Sequence, residues 1–128
     1  MGERKNRRGY DPPQIYYTEE TSLNGLCLNL PVGWEFSIES GGEHGSCRFI
    51  LQELTFFGAR VLLSYMQDDE SISSKVTDIK YGRVCEIAEE DIKFIVERNS
   101  DGVSFNMEFP DTLRFSDPKP LIPAGNIK

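Results

Sequence analysis

The chain has 128 residues, of which 38% are hydrophobic and 27% are charged, and its formal net charge is -7. This length fits one domain that buries roughly two-thirds of its unfolded surface around a single core. No apolar run approaches the roughly 20 residues of a membrane-spanning helix, so neither a helical membrane protein nor a membrane partner is expected. The acidic balance also argues against nucleic acid as a partner.

Cysteine and histidine content narrows the chemistry further. Cys27, Cys47 and Cys85 are odd in number and widely separated, which predicts buried free thiols rather than a disulfide framework or a zinc site. His44 is the single histidine, which argues against a Ser-His-Asp apparatus and most metal sites. The first residues lack the apolar stretch of a secretory signal, and we therefore expect a cytoplasmic protein.

Charge is unevenly distributed along the chain. The first ten residues carry +3, from four basic residues against one acidic residue, which leaves -10 for the remainder. Because Pro12 and Pro13 stop any helix, residues 1–14 are predicted to form an extended basic arm. Such an arm on an acidic domain can bind a phosphate-bearing ligand or an acidic partner, or it can simply be an exposed solubilising segment.

The next part of the chain alternates as β-strands do. Residues 15–18 form a short predicted strand. Leucines at every second position of residues 26–30 lie on one face of a second strand, which Pro31 ends. Residues 34–38 alternate apolar with polar side chains and predict a half-buried strand. The glycine-rich residues 40–45 are then a predicted loop.

Two segments allow competing interpretations. In residues 47–66, the β-branched and aromatic content favours two strands broken at residues 58–59 over a helix. In residues 83–98, apolar side chains fall at helical spacings, although the second half has the composition of a buried strand. A tight-turn signature at residues 99–102, followed by strict alternation, favours a β-hairpin over roughly residues 92–109.

These elements predict a mainly β fold, a small antiparallel barrel or sandwich with little helix. An α+β fold with a helix near residues 83–98 is the alternative. The β-rich domain is expected to span residues 15–116. Residues 117–128 form a proline-rich tail that has little to bury and is expected to lie extended or disordered.

Catalytic signatures are absent from the sequence. It contains no nucleophile elbow, no zinc-protease helix motif and no lysine-containing phosphate loop. Its clustered carboxylates lack the spacing of a divalent-cation site and are interpreted as solvated loop faces. We therefore expect a non-enzymatic protein without cofactor or metal.

A pair of motifs supports one specific hypothesis. Arg4 and Arg8 form R-x-x-x-R, while Glu20, Ser22 and Gly25 approach [DN]-x-S-x-x-G, with Glu20 in place of the shorter Asp or Asn. This pair resembles the PilZ domain. The resemblance implies a six-stranded β-barrel that binds cyclic di-GMP. It also implies that both arginines clamp the ligand, since guanidinium groups pair with phosphates and stack on guanine. The second motif would form the other half of the site.

Two functions follow as hypotheses. The chain is either a PilZ-like regulatory domain that binds cyclic di-GMP, or a protein interaction or assembly subunit without a small-molecule ligand. The second class includes an acidic docking or inhibitor module, for which a protein partner is expected.

Overall fold

The computed structural model describes residues 14–40, 46–66, 72–87 and 91–121. Over these residues the chain forms ten strands. In chain order they are β1 (Ile15–Tyr17), β2 (Leu26–Pro31), β3 (Trp34–Ser40), β4 (Ser46–Leu54), β5 (Gly58–Met66), β6 (Ile72–Lys80), β7 (Val84–Ile87), β8 (Ile92–Arg98), β9 (Gly102–Glu108) and β10 (Leu113–Pro120).

The strands form two five-stranded antiparallel sheets that pack face to face. The first sheet has the order β1-β7-β8-β9-β2 and the second has the order β10-β3-β4-β5-β6. The mainly β sandwich is thus confirmed. The sheets do not close, so the barrel alternative is wrong, as is the six-stranded barrel that the PilZ resemblance implies.

The helix considered near residues 83–98 is also wrong, because β7 and β8 pair as antiparallel strands. Val84 lies opposite Ile95, and Ile87 lies opposite Ile92. All four side chains are buried. Ile87 and Ile92 lie in the central core, and Val84 and Ile95 lie on the outer face of the first sheet. A strand that is buried on both faces loses its alternation, and its apolar residues then match helical spacings by coincidence.

The two strands predicted within residues 47–66 are confirmed, but the break lies at residues 55–57 instead of 58–59. The hairpin predicted for residues 92–109 is confirmed in the pairing of β8 with β9. β6 was not predicted, because residues 71–77 are too polar to indicate a strand. It lies at a sheet edge and faces solvent over most of its length, so few of its side chains are apolar.

Four phenylalanines join the two sheets at the centre of the core. Phe36 and Phe49 of the second sheet stack with ring centroids 4.8 Å apart. Phe49 also meets Phe94 and Phe105 of the first sheet edge-on, at 5.7 Å and 5.9 Å. All four are almost fully buried, and this cluster holds the sheets together.

The C-terminal strand β10 extends beyond the predicted domain boundary. It pairs with β3 through Pro120, so the division between residues 116 and 117 falls within a strand. The hydroxyls of Ser37 and Ser116 lie 2.8 Å apart across this pair. β10 tolerates Pro118 and Pro120 because it is an edge strand with an irregular register after Ser116, where missing N–H groups break few ladder bonds.

Within the described part of the chain, no helix has the length and apolar character that crossing a membrane requires.

Candidate functional site

The predicted ligand turn lies on a segment that crosses the outer face of the first sheet. This segment, residues 18–25, runs from β1 at one edge of that sheet to β2 at the other, and we call it the strap. Its Leu23 is 7% exposed and packs with Val84 and Ile95 in a small second cluster. The strap therefore covers apolar side chains that the sheet would otherwise expose to water.

Polar contacts fix both ends of the strap. Its N-terminal end is held by a hydrogen bond from the Thr18 N–H to the Val84 carbonyl, 2.8 Å long. At the other end, Asn106 donates to the Leu23 carbonyl at 3.0 Å and accepts from the Gly25 N–H at 3.2 Å. The Asn24 N–H donates to a Glu108 carboxylate oxygen at 2.9 Å. These contacts give the strap a defined path.

The motif residues have structural contacts in this arrangement. Glu20 pairs with Lys93 of the sheet, with 2.7 Å between Oε2 and Nζ, and this hydrogen bond and charge raise the pKa of Lys93. Ser22 is exposed. Gly25 lies so close to β9 that an added Cβ would overlap the Met107 carbonyl oxygen, so the position requires glycine for close approach.

The structure brings Glu20, Ser22 and Gly25 onto one strap, whereas Arg4 and Arg8 lie outside the described residues. Beside Ser22 the strap leaves a pocket of about 220 Å³. This is smaller than the range of about 300–1,000 Å³ that is usual for small-molecule sites. The cyclic di-GMP site stays a prediction.

The described residues carry little that resembles catalytic chemistry. Cys85 is buried, and burial raises its pKa to about 11, which keeps the thiol protonated and weakly nucleophilic. Cys47 is buried as well, whereas Cys27 is exposed, so the prediction of buried thiols is wrong for Cys27. His44 lies outside the described residues. In the part of the chain that the structure describes, no group of three or more His, Cys, Asp or Glu is placed to hold a metal ion.

A different surface stands out at one end of the sandwich, which we call the turn end. At this end, the antiparallel strand registers place the turns after β2, β4, β6 and β8 next to the C-terminal end of β10. Backbone hydrogen bonds link these turns to each other and to β4. They run from the Val32 N–H to Asp101, from Gly33 to Leu51, from Leu121 to Gly33 and from Tyr81 to Phe57.

Two adjacent phenylalanines form the tip of the turn end. Phe56 and Phe57 are 83% and 75% exposed, which is unusual for side chains of this size. Their rings contact edge-to-face with centroids 5.1 Å apart. Each ring thus shields part of the other, and together they present one contiguous aromatic surface.

The turn that carries this pair is closely hydrogen-bonded. The Thr55 N–H donates to the Gly58 carbonyl at 2.7 Å, and the Gly58 N–H donates to the Thr55 hydroxyl at 3.0 Å. The Tyr81 hydroxyl donates to the Thr55 carbonyl at 2.9 Å. The exposed rings therefore project from a fixed backbone, which lowers the entropy lost when a partner binds them.

Basic side chains lie beside the tip. The Arg83 guanidinium lies 4.6 Å and the Lys80 ammonium 5.9 Å from the Tyr17 ring centroid. The Tyr17 hydroxyl accepts a hydrogen bond from the Lys80 N–H at 3.2 Å. On the other side of β6, Arg60 pairs with Glu53 and Asp78. Lys80 and Arg83 thus give the Tyr17 side of the tip a cationic flank, whereas the charge of Arg60 is offset by its two carboxylate partners.

Sequence reasoning missed Phe56 and Phe57 as a surface feature. It used aromatic content in residues 47–66 as evidence for strands, which assumes that these rings are buried. The available signal was the pair of aromatics immediately before Gly58, where the chain turns between two apolar strands.

Comparison of the chain with protein-family models, curated proteins and solved structures finds no match.

Proposed function

We propose that this chain is a non-catalytic docking module that binds a partner protein through the turn end, with Phe56 and Phe57 as the anchor. The observation that carries the proposal is the exposure of two adjacent phenylalanines on a hydrogen-bonded turn. Burial of each ring in a partner would contribute about 2 kcal/mol. Buried aromatic anchors of this kind dominate the free energy of many protein interfaces.

The flank of the tip defines the chemistry of the partner. Lys80 and Arg83 would lie at the rim once the rings are buried, so the proposed partner has an apolar pocket with an acidic rim. An anionic membrane surface is the less suitable target, because a chain with a net charge of -7 is repelled by it.

Photocrosslinking from the tip tests the proposal. A photoreactive phenylalanine analogue at position 56 should capture a specific protein in cells that express the chain. The same analogue at Tyr16, an exposed aromatic on β1, should not. Titration of that purified protein with the Phe56→Ala/Phe57→Ala double variant should then show binding weakened by at least about 30-fold, which is the loss expected from one ring alone at roughly 2 kcal/mol.

Tyr16→Ala is the matched control and should bind the same purified protein as the wild type does. Equal affinity of the double variant and the wild type would contradict docking through the tip. Flotation of the wild-type chain with anionic vesicles, lost in the double variant, would assign the tip to a membrane instead.

The cyclic di-GMP hypothesis has its own test. It predicts that titration with cyclic di-GMP gives saturable heat, and that Arg8→Ala and Ser22→Ala abolish it. Ser22 is exposed, so its substitution should not unfold the chain and gives a clean readout. A flat titration of the folded wild-type protein would remove the hypothesis and leave the docking proposal unaffected.

A further inference from the structure

The outer edge of β6 carries backbone groups that no strand of the described residues pairs with over part of its length. β6 pairs with β5 from Ile72 to Lys80 and is the last strand of the second sheet. The Tyr81 N–H donates to the carbonyl of Phe57, which lies directly opposite it in this register. Because hydrogen-bonded pairs alternate along antiparallel strands, the odd-numbered residues of β6 bond to β5. The N–H and C=O groups of even-numbered residues therefore point away from the sheet. In the described part of the chain, no strand pairs with them.

One end of this edge is already occupied. The Lys80 N–H points outward, as the alternation requires, and donates to the Tyr17 hydroxyl. Tyr17 belongs to β1 of the other sheet, so it closes the edge at the turn end. The accessible edge therefore runs from Ile72 towards Asp78, and its Ile72 end lies away from the proposed docking tip.

Two apolar rows lie on the outer face beside this edge, with the polar pair of Ser64 and Ser74 between them. Across neighbouring strands, Ile50, Leu62 and Val76 lie opposite one another in a row, and Met66 lies opposite Ile72. Ile72 is 61% exposed and Val76 is 48% exposed. An open edge beside exposed apolar side chains is a template for pairing with another strand.

We propose that β6 pairs antiparallel with β6 of a second copy of the chain, with Ser74 on the two-fold axis. In this register Ile72 lies opposite Val76 of the second copy, and Ser74 lies opposite its own equivalent. The three opposed pairs of even-numbered residues exchange six main-chain hydrogen bonds. The two second sheets then form one continuous sheet across the interface.

Two observations select this register over its neighbours. An axis at Val76 would place Ile72 opposite Lys80, whose N–H the Tyr17 hydroxyl already binds, so this pair could not exchange both of its hydrogen bonds. An axis at Lys75 would place two lysines directly opposite each other, which destabilises a strand pair. The Ser74 axis avoids both problems, because it places Lys75 opposite Ser73 of the second copy.

The apolar side chains also favour this register. With Ser74 on the axis, the row formed by Ile50, Leu62 and Val76 continues into Ile72 and Met66 of the second copy. Pairs of β-branched side chains directly opposite each other stabilise antiparallel strands. The row is thus self-complementary, as an interface with two-fold symmetry requires. This interface is independent of the proposed docking function.

Sedimentation velocity and disulfide trapping together test the proposal. The wild-type mass should rise with concentration from one chain towards two. Val76→Pro should abolish this rise without unfolding the chain, because it removes an N–H that points away from β5. In a Cys27→Ser background, which removes the exposed native thiol, Ser74→Cys should form a covalent dimer under mild oxidation. Residues paired on the axis have Cα atoms about 5.5 Å apart, within disulfide range.

Val76→Cys in the same background is the matched control. Its two copies would lie four residues apart along the strands, roughly 13 Å, and should not crosslink. Crosslinking through Val76→Cys and not through Ser74→Cys would overturn the register. A mass of one chain at every concentration would overturn the interface itself.

Discussion

Replacing Phe49 with alanine is expected to lower the free energy of unfolding by about 3–5 kcal/mol. Phe49 has no solvent exposure and contacts three other rings, stacked on Phe36 and edge-on to Phe94 and Phe105. The substitution removes apolar contacts and leaves a cavity between sheets that cannot readily collapse. A domain of this size has only about 5–15 kcal/mol of stability, so a large fraction is lost. Urea denaturation followed by tryptophan fluorescence measures the change.

Phe57→Ala is the matched control, because the same atoms are removed from a ring that is 75% exposed. Its free energy of unfolding should remain within about 0.5 kcal/mol of the wild type. The contrast bears directly on function, since exposed aromatic rings that add nothing to stability require another explanation. A loss as large as that of Phe49→Ala would show that the tip is packed against the domain, and the docking proposal would fail.

The strands that could be predicted from the sequence are those with one buried face. Alternation identified β2, β3 and β9, because most of their apolar residues face the core and their polar residues face solvent. The turn signature before β9 then predicted the β8–β9 hairpin. β7 and the first half of β8 were ambiguous since both of their faces are covered. This ambiguity was itself a structural signal, because a covered outer face requires a covering segment such as the strap.

The candidate site was less predictable. A motif describes local residues, whereas the roles of Glu20 and Gly25 depend on Lys93 and Met107, distant in sequence and adjacent across the sheet. Exposure of Phe56 is likewise a tertiary property. Aromatic residues are mostly buried, and only the hydrogen-bonded turn between β4 and β5 places this ring in solvent.

Gly25→Ala is expected to destabilise the protein by about 3 kcal/mol or more, although the added group is a single methyl. The methyl would overlap the backbone carbonyl oxygen of Met107, which no side-chain rotation can relieve. Either the strap must leave the sheet or β9 must move. If the strap leaves, Leu23 loses its contacts with Val84 and Ile95, and the outer face of the sheet becomes exposed. Thermal unfolding measures the total loss, and amide hydrogen exchange at Asn24 and Gly25 reports whether the strap separates first.

Two controls separate the steric cause from other effects of the substitution. Gly33→Ala tests backbone strain alone, because Gly33 has a φ of +88° but no atom within 4 Å of an added Cβ. It should cost about 1–2 kcal/mol. Ser22→Ala changes an exposed strap residue and should have almost no effect on stability. If the Gly25→Ala variant is at least as stable as the Gly33→Ala variant, the close approach of strap and sheet is contradicted. If Gly25→Ala is instead the most destabilised, Gly25 has a structural reason to be glycine that needs no ligand. The ligand hypothesis would then depend on Ser22 and the two arginines.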